Sequence, residues 1–208
     1  DALREAIVEG RLTDGATLRQ DQIAGMFNVS RIPVREALAR LEEQGLVTTQ
    51  RHKGAVVSSL SLAEIEEMFE FRALLESEVI RQAVRAISDA TLSEAKSYAA
   101  AFAQEPDSGK WAGLNRLFHY TLYKDCHRPY HLQAVSKALD KIARYLRAQL
   151  VLTDGIARAR AEHEGILHAA MARDADEAAA LTRAHILGAS QSLISFLEAE
   201  RAKTDLSR

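Results

Sequence analysis

Little in this sequence could supply a covalent or membrane-bound framework. The one cysteine, Cys126, has no partner in the chain, so an internal disulfide is excluded. No uninterrupted apolar run approaches the roughly 18 residues that a membrane span requires. No secretory signal opens the chain, so a cytoplasmic setting without a membrane partner is expected. Only three prolines and ten glycines interrupt a sequence rich in Ala, Leu, Glu and Arg, a balance that favours helix. A surplus of charge of one sign is also missing. The formal net charge of -2 gives no whole-chain signature for a polyanion partner. There is no internal repeat, no low-complexity stretch and no Gly/Ser-rich linker. The chain starts at Asp1 without Met, inside a helical pattern, so a short native segment is expected to precede it.

What charge there is lies unevenly. Residues 1–30 carry three Lys/Arg against five Asp/Glu, and residues 31–60 carry five against three. The positive stretch coincides with an ordered set of short elements. Leu3, Ile7 and Val8 repeat helically up to Gly10, and Asp14-Gly15 marks a turn. Asp21 to Phe27 forms a second short helix. Ser30 is placed to cap a third, with Pro33 in its first turn, where a missing N–H costs nothing. Val34, Leu38 and Leu41 face inward there, and Arg31 and Arg35 lie one turn apart on the opposite side. Val47–Gln50 and Ala55–Ser58 are β-prone runs joined by the basic tip Arg51-His52-Lys53-Gly54. This order predicts a winged helix-turn-helix over residues 1–60. A helix N-terminus bearing two arginines can reach guanine edges and phosphates, while a basic wing can enter the adjacent minor groove. For an isolated Arg pair, a merely solvated helix face is the ordinary alternative.

The stretch VSRIPVREALARLEEQGLV, preceded by LREAIVEGRL and followed by RHKGAVV, resembles the GntR family of bacterial transcription regulators. The resemblance implies DNA contact by Ser30, Arg31 and Arg35, with His52, Lys53 and Gly54 at the wing. One departure stands out. The family often has Pro-Gly in the turn before its second helix and a basic residue near that helix's start. This chain has Asp14-Gly15 and Asp21 instead.

Residues 61–208 read as helix almost throughout, over 62–87, 90–104, 108–125, 130–151, 155–172 and 175–202. Breaks are expected at Ser88-Asp89, at Pro106 to Gly109, near Pro129, at Thr153-Asp154-Gly155 and at Asp174. The predicted fold is therefore mainly α, a winged helix-turn-helix followed by an all-α six-helix antiparallel bundle.

Helical spacing sorts the seven histidines. His119 shares a stripe with Trp111, Asn115, Phe118 and Leu122. His163 lies with Ala159, Ile166 and Ala170, and His185 with Ala178, Leu181 and Ala189. All three point inward. His168 falls off the face of His163, and Pro129 breaks the spacing of His127 and His131. One inward histidine is usually a core residue bonded to a carbonyl or carboxylate. Three on separate helices point to a divalent transition metal, since bundles build metal sites from facing side chains. Zinc, nickel, copper or iron would suit neutral imidazoles, with zinc or nickel foremost. Arg72 lies along the apolar stripe of its helix and needs an anionic partner. That partner is either Glu76, one turn on, or the carboxylate of a bound ligand. Tyr120, Tyr123, Arg144 and Tyr145 are further polar candidates that the sequence does not rank.

LNRLFHYTL and EHEGILHAAMARDADEAAALTRAHI resemble the effector-binding FCD domain of the FadR subfamily, and the count of six helices resembles its VanR-type branch. This resemblance implies a metal held by Asn115, His119, His163 and His185, with the metal helping to hold a small carboxylate effector. Asn115 stands where the family pattern has Asp, so it would offer a neutral amide oxygen. The implied protein is a homodimeric repressor on double-stranded operator DNA, its recognition helices about 34 Å or a multiple apart. Two other readings use the same histidines, a metal-dependent hydrolase and a regulator that senses the metal itself. Against the hydrolase, Glu162 and Glu164 flank His163 at positions that point away from its face.

Overall fold

The computed structural model describes residues 1–153 and 155–206. The front of the chain comprises α1 (Ala2–Val8), β1 (Thr17–Leu18), α2 (Gln20–Phe27), α3 (Arg31–Glu43), β2 (Val47–Gln50) and β3 (Gly54–Val57). The three strands form an antiparallel sheet in the order β1-β3-β2. The hairpin pairs Thr48 with Val56 and Gln50 with Gly54, and β1 adds Thr17 opposite Val56. At two residues β1 is too short for any alternation to announce it. One apolar core joins these elements, with Ile7, Leu18, Ile23, Val34, Leu38 and Val57 among its members.

Behind it come α4 (Leu62–Ala86), α5 (Asp89–Gln104), α6 (Ser108–Tyr123), a 3-10 turn over Lys124–Cys126, α7 (Pro129–Lys141), α8 (Ala143–Leu152), α9 (Gly155–Met171) and α10 (Ala175–Leu206). Each break expected from the sequence is a helix boundary, though Asp154 lies outside the described residues. The caps explain several starts. Ser61 and Glu64 form a reciprocal capping box on α4, and the Ser88 hydroxyl accepts from Thr91 N at the start of α5.

The helix expected over 130–151 is divided at Ile142, whose φ/ψ of -105°/10° closes α7 and opens α8. Ile142 is fully buried against a core that includes Ile65, Phe69 and Leu193. No Pro or Gly stands at the interruption. It frees α8 to run along both halves of the molecule. From α8, Arg144 forms an ion pair with Asp14 and donates to Ser58 O at 2.5 Å. The Tyr145 hydroxyl accepts from Leu60 N at 2.9 Å. Arg4 of α1 reaches Asp140 at 3.0 Å, in a pair that Arg116 shares at 2.8 Å. No helix is long and apolar enough to cross a membrane among the described residues.

Candidate functional site

His119 of α6, His163 of α9 and His185 of α10 converge in the helical core. One ligand nitrogen from each lies within 4.8 Å of the others, and all three residues are buried. The ring centroids stand 5.0 Å apart in every pair. Nε2 of His119 is 3.2 Å from Nε2 of His185. His163 is stacked on Phe118 at 4.4 Å and tilted against Phe102 at 4.8 Å, and neither of its ring nitrogens has a hydrogen-bond partner. An imidazole buried without a partner is costly, and here the cost falls on the residue that faces two other imidazoles. Burial holds His119 well below the ordinary histidine pKa, with His163, His185 and Arg72 adding to the shift. Burial, then His185, does the same to His163. Neutral imidazoles are the form that ligates a metal, so the donor set fits a transition ion.

The outer nitrogens are anchored. Nδ1 of His185 lies 2.6 Å from Oε2 of Glu162, which places the ring proton on Nδ1 and turns a lone pair inward at Nε2. Glu162 pairs in turn with Arg158 at 3.4 Å, and Arg158 donates to the Ser192 hydroxyl at 2.7 Å. On the other side, Nδ1 of His119 is 3.3 Å from the Tyr123 hydroxyl, which donates to Glu76 Oε2 at 2.9 Å. Glu76 also accepts from Arg72 Nε at 2.6 Å. Burial, with the Glu76 carboxylate next, pushes the Tyr123 phenol well above its ordinary pKa, so it stays a donor.

A small cavity of ≈ 10 Å³ lies beside the histidines, with Arg72, Asn115, Gln149 and His185 on its polar wall. That is room for about one water molecule. Asn115 is buried on α6 one turn before His119, and its carboxamide makes no hydrogen bond among the described residues. Asn115 and Leu146 also line a cleft of ≈ 410 Å³ between α1 and helices α6 to α8, a size suited to small ligands. The partner that Arg72 needs is Glu76, as one of the two sequence alternatives held, yet Arg72 still lines the cavity. Among the other polar candidates, only Tyr123 touches the histidines. Tyr145 and Arg144 hold the junction between the two halves, and Tyr120 donates to Leu132 O at 3.3 Å. His127, His131 and His168 are exposed.

At the opposite end, Ser30, Arg31 and Arg35 are exposed at the start of α3. Ser30 occupies the cap position, but its hydroxyl makes no capping bond there. His52, Lys53 and Gly54 are exposed at the wing tip, where His52 and Gly54 adopt positive φ of 69° and 76°. Asp21 of α2 forms an ion pair with Arg31, so an acid on the neighbouring helix lies within reach of one of the two arginines that lead α3.

Comparison with known proteins decides the family. Residues 67–188 match the FCD domain, and residues 1–57 match the bacterial regulatory proteins of the gntR family. The chain belongs to the GntR family. This GntR-family chain is 30% identical over 198 residues to the uncharacterized HTH-type transcriptional regulator BphR of Paraburkholderia xenovorans, spanning 88% of this chain and 79% of that protein. It is 27% identical to the HTH-type transcriptional repressor GlaR of Escherichia coli over 196 residues, 89% of each chain. A GntR family member from Pseudomonas syringae pv. tomato has a crystal structure that matches with a TM-score of 0.62 at 32% identity, over 97% of this chain and 85% of that one. The chain is thus a transcription regulator, not an enzyme, and its helix-turn-helix is the family's means of binding operator DNA.

Sequence reasoning missed two residues. Glu162 does point away from His163, as its spacing requires, but α10 packs on that flank and brings His185 to it. Position along one helix carries no signal of a partner on another. Gln149 is the second. Its helix, α8, lines the cavity and begins at the break at Ile142, which no breaker residue announces.

Proposed function

We propose that this chain is an effector-responsive repressor divided into a DNA-reading unit, residues 1–60, and a sensor unit, residues 61–208. Ser30, Arg31 and Arg35 contact operator DNA from the start of α3, and His52, Lys53 and Gly54 contact it from the wing. A homodimer supplies the second reading head, because one winged helix reads only a half-site. His119, His163 and His185 hold a divalent transition metal, zinc or nickel, with Asn115 as a fourth oxygen donor. A metal there would supply a Lewis-acidic point of attachment for a small carboxylate, and Arg72 is placed to share that anion.

The observation that carries this reading is the pair of unpartnered nitrogens on His163, buried against two further imidazoles. A core histidine kept only for packing would be bonded to a carbonyl or carboxylate. Repression, rather than activation, follows the one relative above whose name states a sense. Transmission to the reading head runs through α8, which carries Leu146, Gln149 and Leu150 on the cavity wall and Arg144 at the junction with Asp14. A ligand that favours one placement of α8 shifts the balance between DNA-competent and released dimers.

The small size of the cavity favours one alternative, in which the metal itself is the signal. Binding to the protein's own promoter region, titrated with carboxylates before and after chelation, separates the two. Release by an acid only in the presence of metal supports the proposal. Release by chelation alone supports metal sensing, and failure to bind any DNA refutes both.

A further inference from the structure

Arg147 of α8 has no ion-pair or hydrogen-bond partner among the described residues, and its Nε is buried. A guanidinium nitrogen taken out of water without an acceptor is costly, so its position calls for an anion from outside the chain. Arg147 stands on a cleft that could admit one. It lines the ≈ 410 Å³ space between α1 and helices α6 to α8. That is within the size range of small-molecule sites, and far larger than the ≈ 10 Å³ cavity beside the histidines.

The charge around Arg147 leans the same way. Arg4 of α1 and Arg116 of α6 also line the cleft, and they share a single carboxylate, Asp140, at 3.0 Å and 2.8 Å. Asp140 offsets one of those two charges, and Arg147 adds a third. Asp1, Glu5 and Glu9 line the cleft from the α1 side but are exposed, where water and salt screen them. Glu9 is moreover paired with Arg11 at 2.6 Å. The remaining wall is apolar and comprises Val8, Ala112, Leu139, Ala143 and Leu146. Gly113 leaves part of the cleft open, because an added Cβ there would meet no atom within 4 Å.

We propose that this cleft is a second ligand site, separate from the histidine centre, and that it takes an organic anion with an apolar body whose acid group pairs with Arg147. The apolar wall buries the body, and the guanidinium supplies a charge-assisted hydrogen bond. The site needs no metal. It lies between α1 and the helical half of the chain, beside the tie that Arg4, Asp140 and Arg116 make between them.

The test uses the full chain, with metal and after chelation, and follows binding by calorimetry. Two anions, 2-naphthoate and octanoate, are compared with their neutral amides. In the chelated chain at least one anion should bind roughly ten- to a hundredfold tighter than its amide, the usual worth of a hydrogen-bonded charge. Arg147→Met keeps the stem and deletes the guanidinium, so it removes that preference. Gly113→Leu fills the cleft and weakens anion and amide alike. This variant should melt no lower than wild type, because leucine replaces a glycine inside a helix without a clash. Equal binding of anion and amide, a preference that survives Arg147→Met, or binding untouched by Gly113→Leu overturns the proposal. Failure of both anions to bind does the same. An anion that binds only with metal present, or is lost in His119→Ala, belongs to the histidine centre, which overturns the second site and leaves that centre standing.

Discussion

Oε2 of Glu162 lies 2.6 Å from Nδ1 of His185, joining a carboxylate on α9 to an imidazole on α10. The contact fixes which nitrogen of His185 carries the proton and which faces His119 and His163. A carboxylate behind an imidazole also holds the orientation of its ring. Glu162→Ala should therefore weaken metal binding by about 10- to 100-fold while leaving the helical content unchanged. Competition with a chromophoric chelator measures this, and an unchanged affinity would remove Glu162 from the centre.

His163 makes an opposite prediction for the metal-free protein. Both of its ring nitrogens are buried without a partner. His163→Leu should raise the stability of the metal-free chain by about 1–3 kcal/mol, the usual cost of such an orphan. Added metal is expected to raise the melting temperature of wild type, and this variant should abolish that rise. A variant destabilised in both conditions would mean that the histidine is there for packing.

The depressed pKa values of His119 and His163 set the acid side of the stability curve. Both stay neutral in the folded chain while the unfolded chain takes up protons near the ordinary value of about 6.5. The unfolded state then binds more protons, so stability is full above that value and falls as pH drops below it. The expected slope is about 1.4 kcal/mol per pH unit for each histidine, until the folded state also protonates. Urea denaturation of the metal-free protein between pH 7 and 5 checks this. The double variant His119→Leu/His163→Leu should have a markedly shallower slope.

On the proposed reading head, Asp21 forms an ion pair with Arg31, so it would compete with DNA phosphate for that side chain. Asp21→Asn should tighten operator binding and steepen its salt dependence by about one unit in the log–log slope. Arg35→Ala should cost roughly 1–3 kcal/mol of base discrimination if it reads a guanine. Fluorescence anisotropy over a salt series tests both, and an Asp21→Asn slope equal to wild type would mean that Arg31 does not meet phosphate.

The inward turn of His119, His163 and His185 was legible because helical spacing alone decides which face a residue occupies. Arg72 and the arginines of α3 were legible for the same reason, and the exposed wing tip because a basic turn joins two β-prone runs. Contacts between helices were not. Glu162 reaches His185, and Tyr123 joins His119 to Glu76, only because α9, α10, α6 and α4 pack as they do. The division at Ile142 leaves no mark in the sequence, since no Pro or Gly stands there. With that division unread, neither the span of α8 from reading head to cavity nor the place of Gln149 could be foreseen.

In the proposed mechanism the histidine centre and the DNA-reading surface are one switch. The decisive measurement is the operator affinity of the full chain, followed by anisotropy during a titration with small carboxylates, with and without a metal chelator. The expected result is release by the acid in the metal-loaded protein and none after chelation, with His119→Ala behaving like the chelated wild type and still binding operator. Release that is equally strong after chelation, or in His119→Ala, would contradict it.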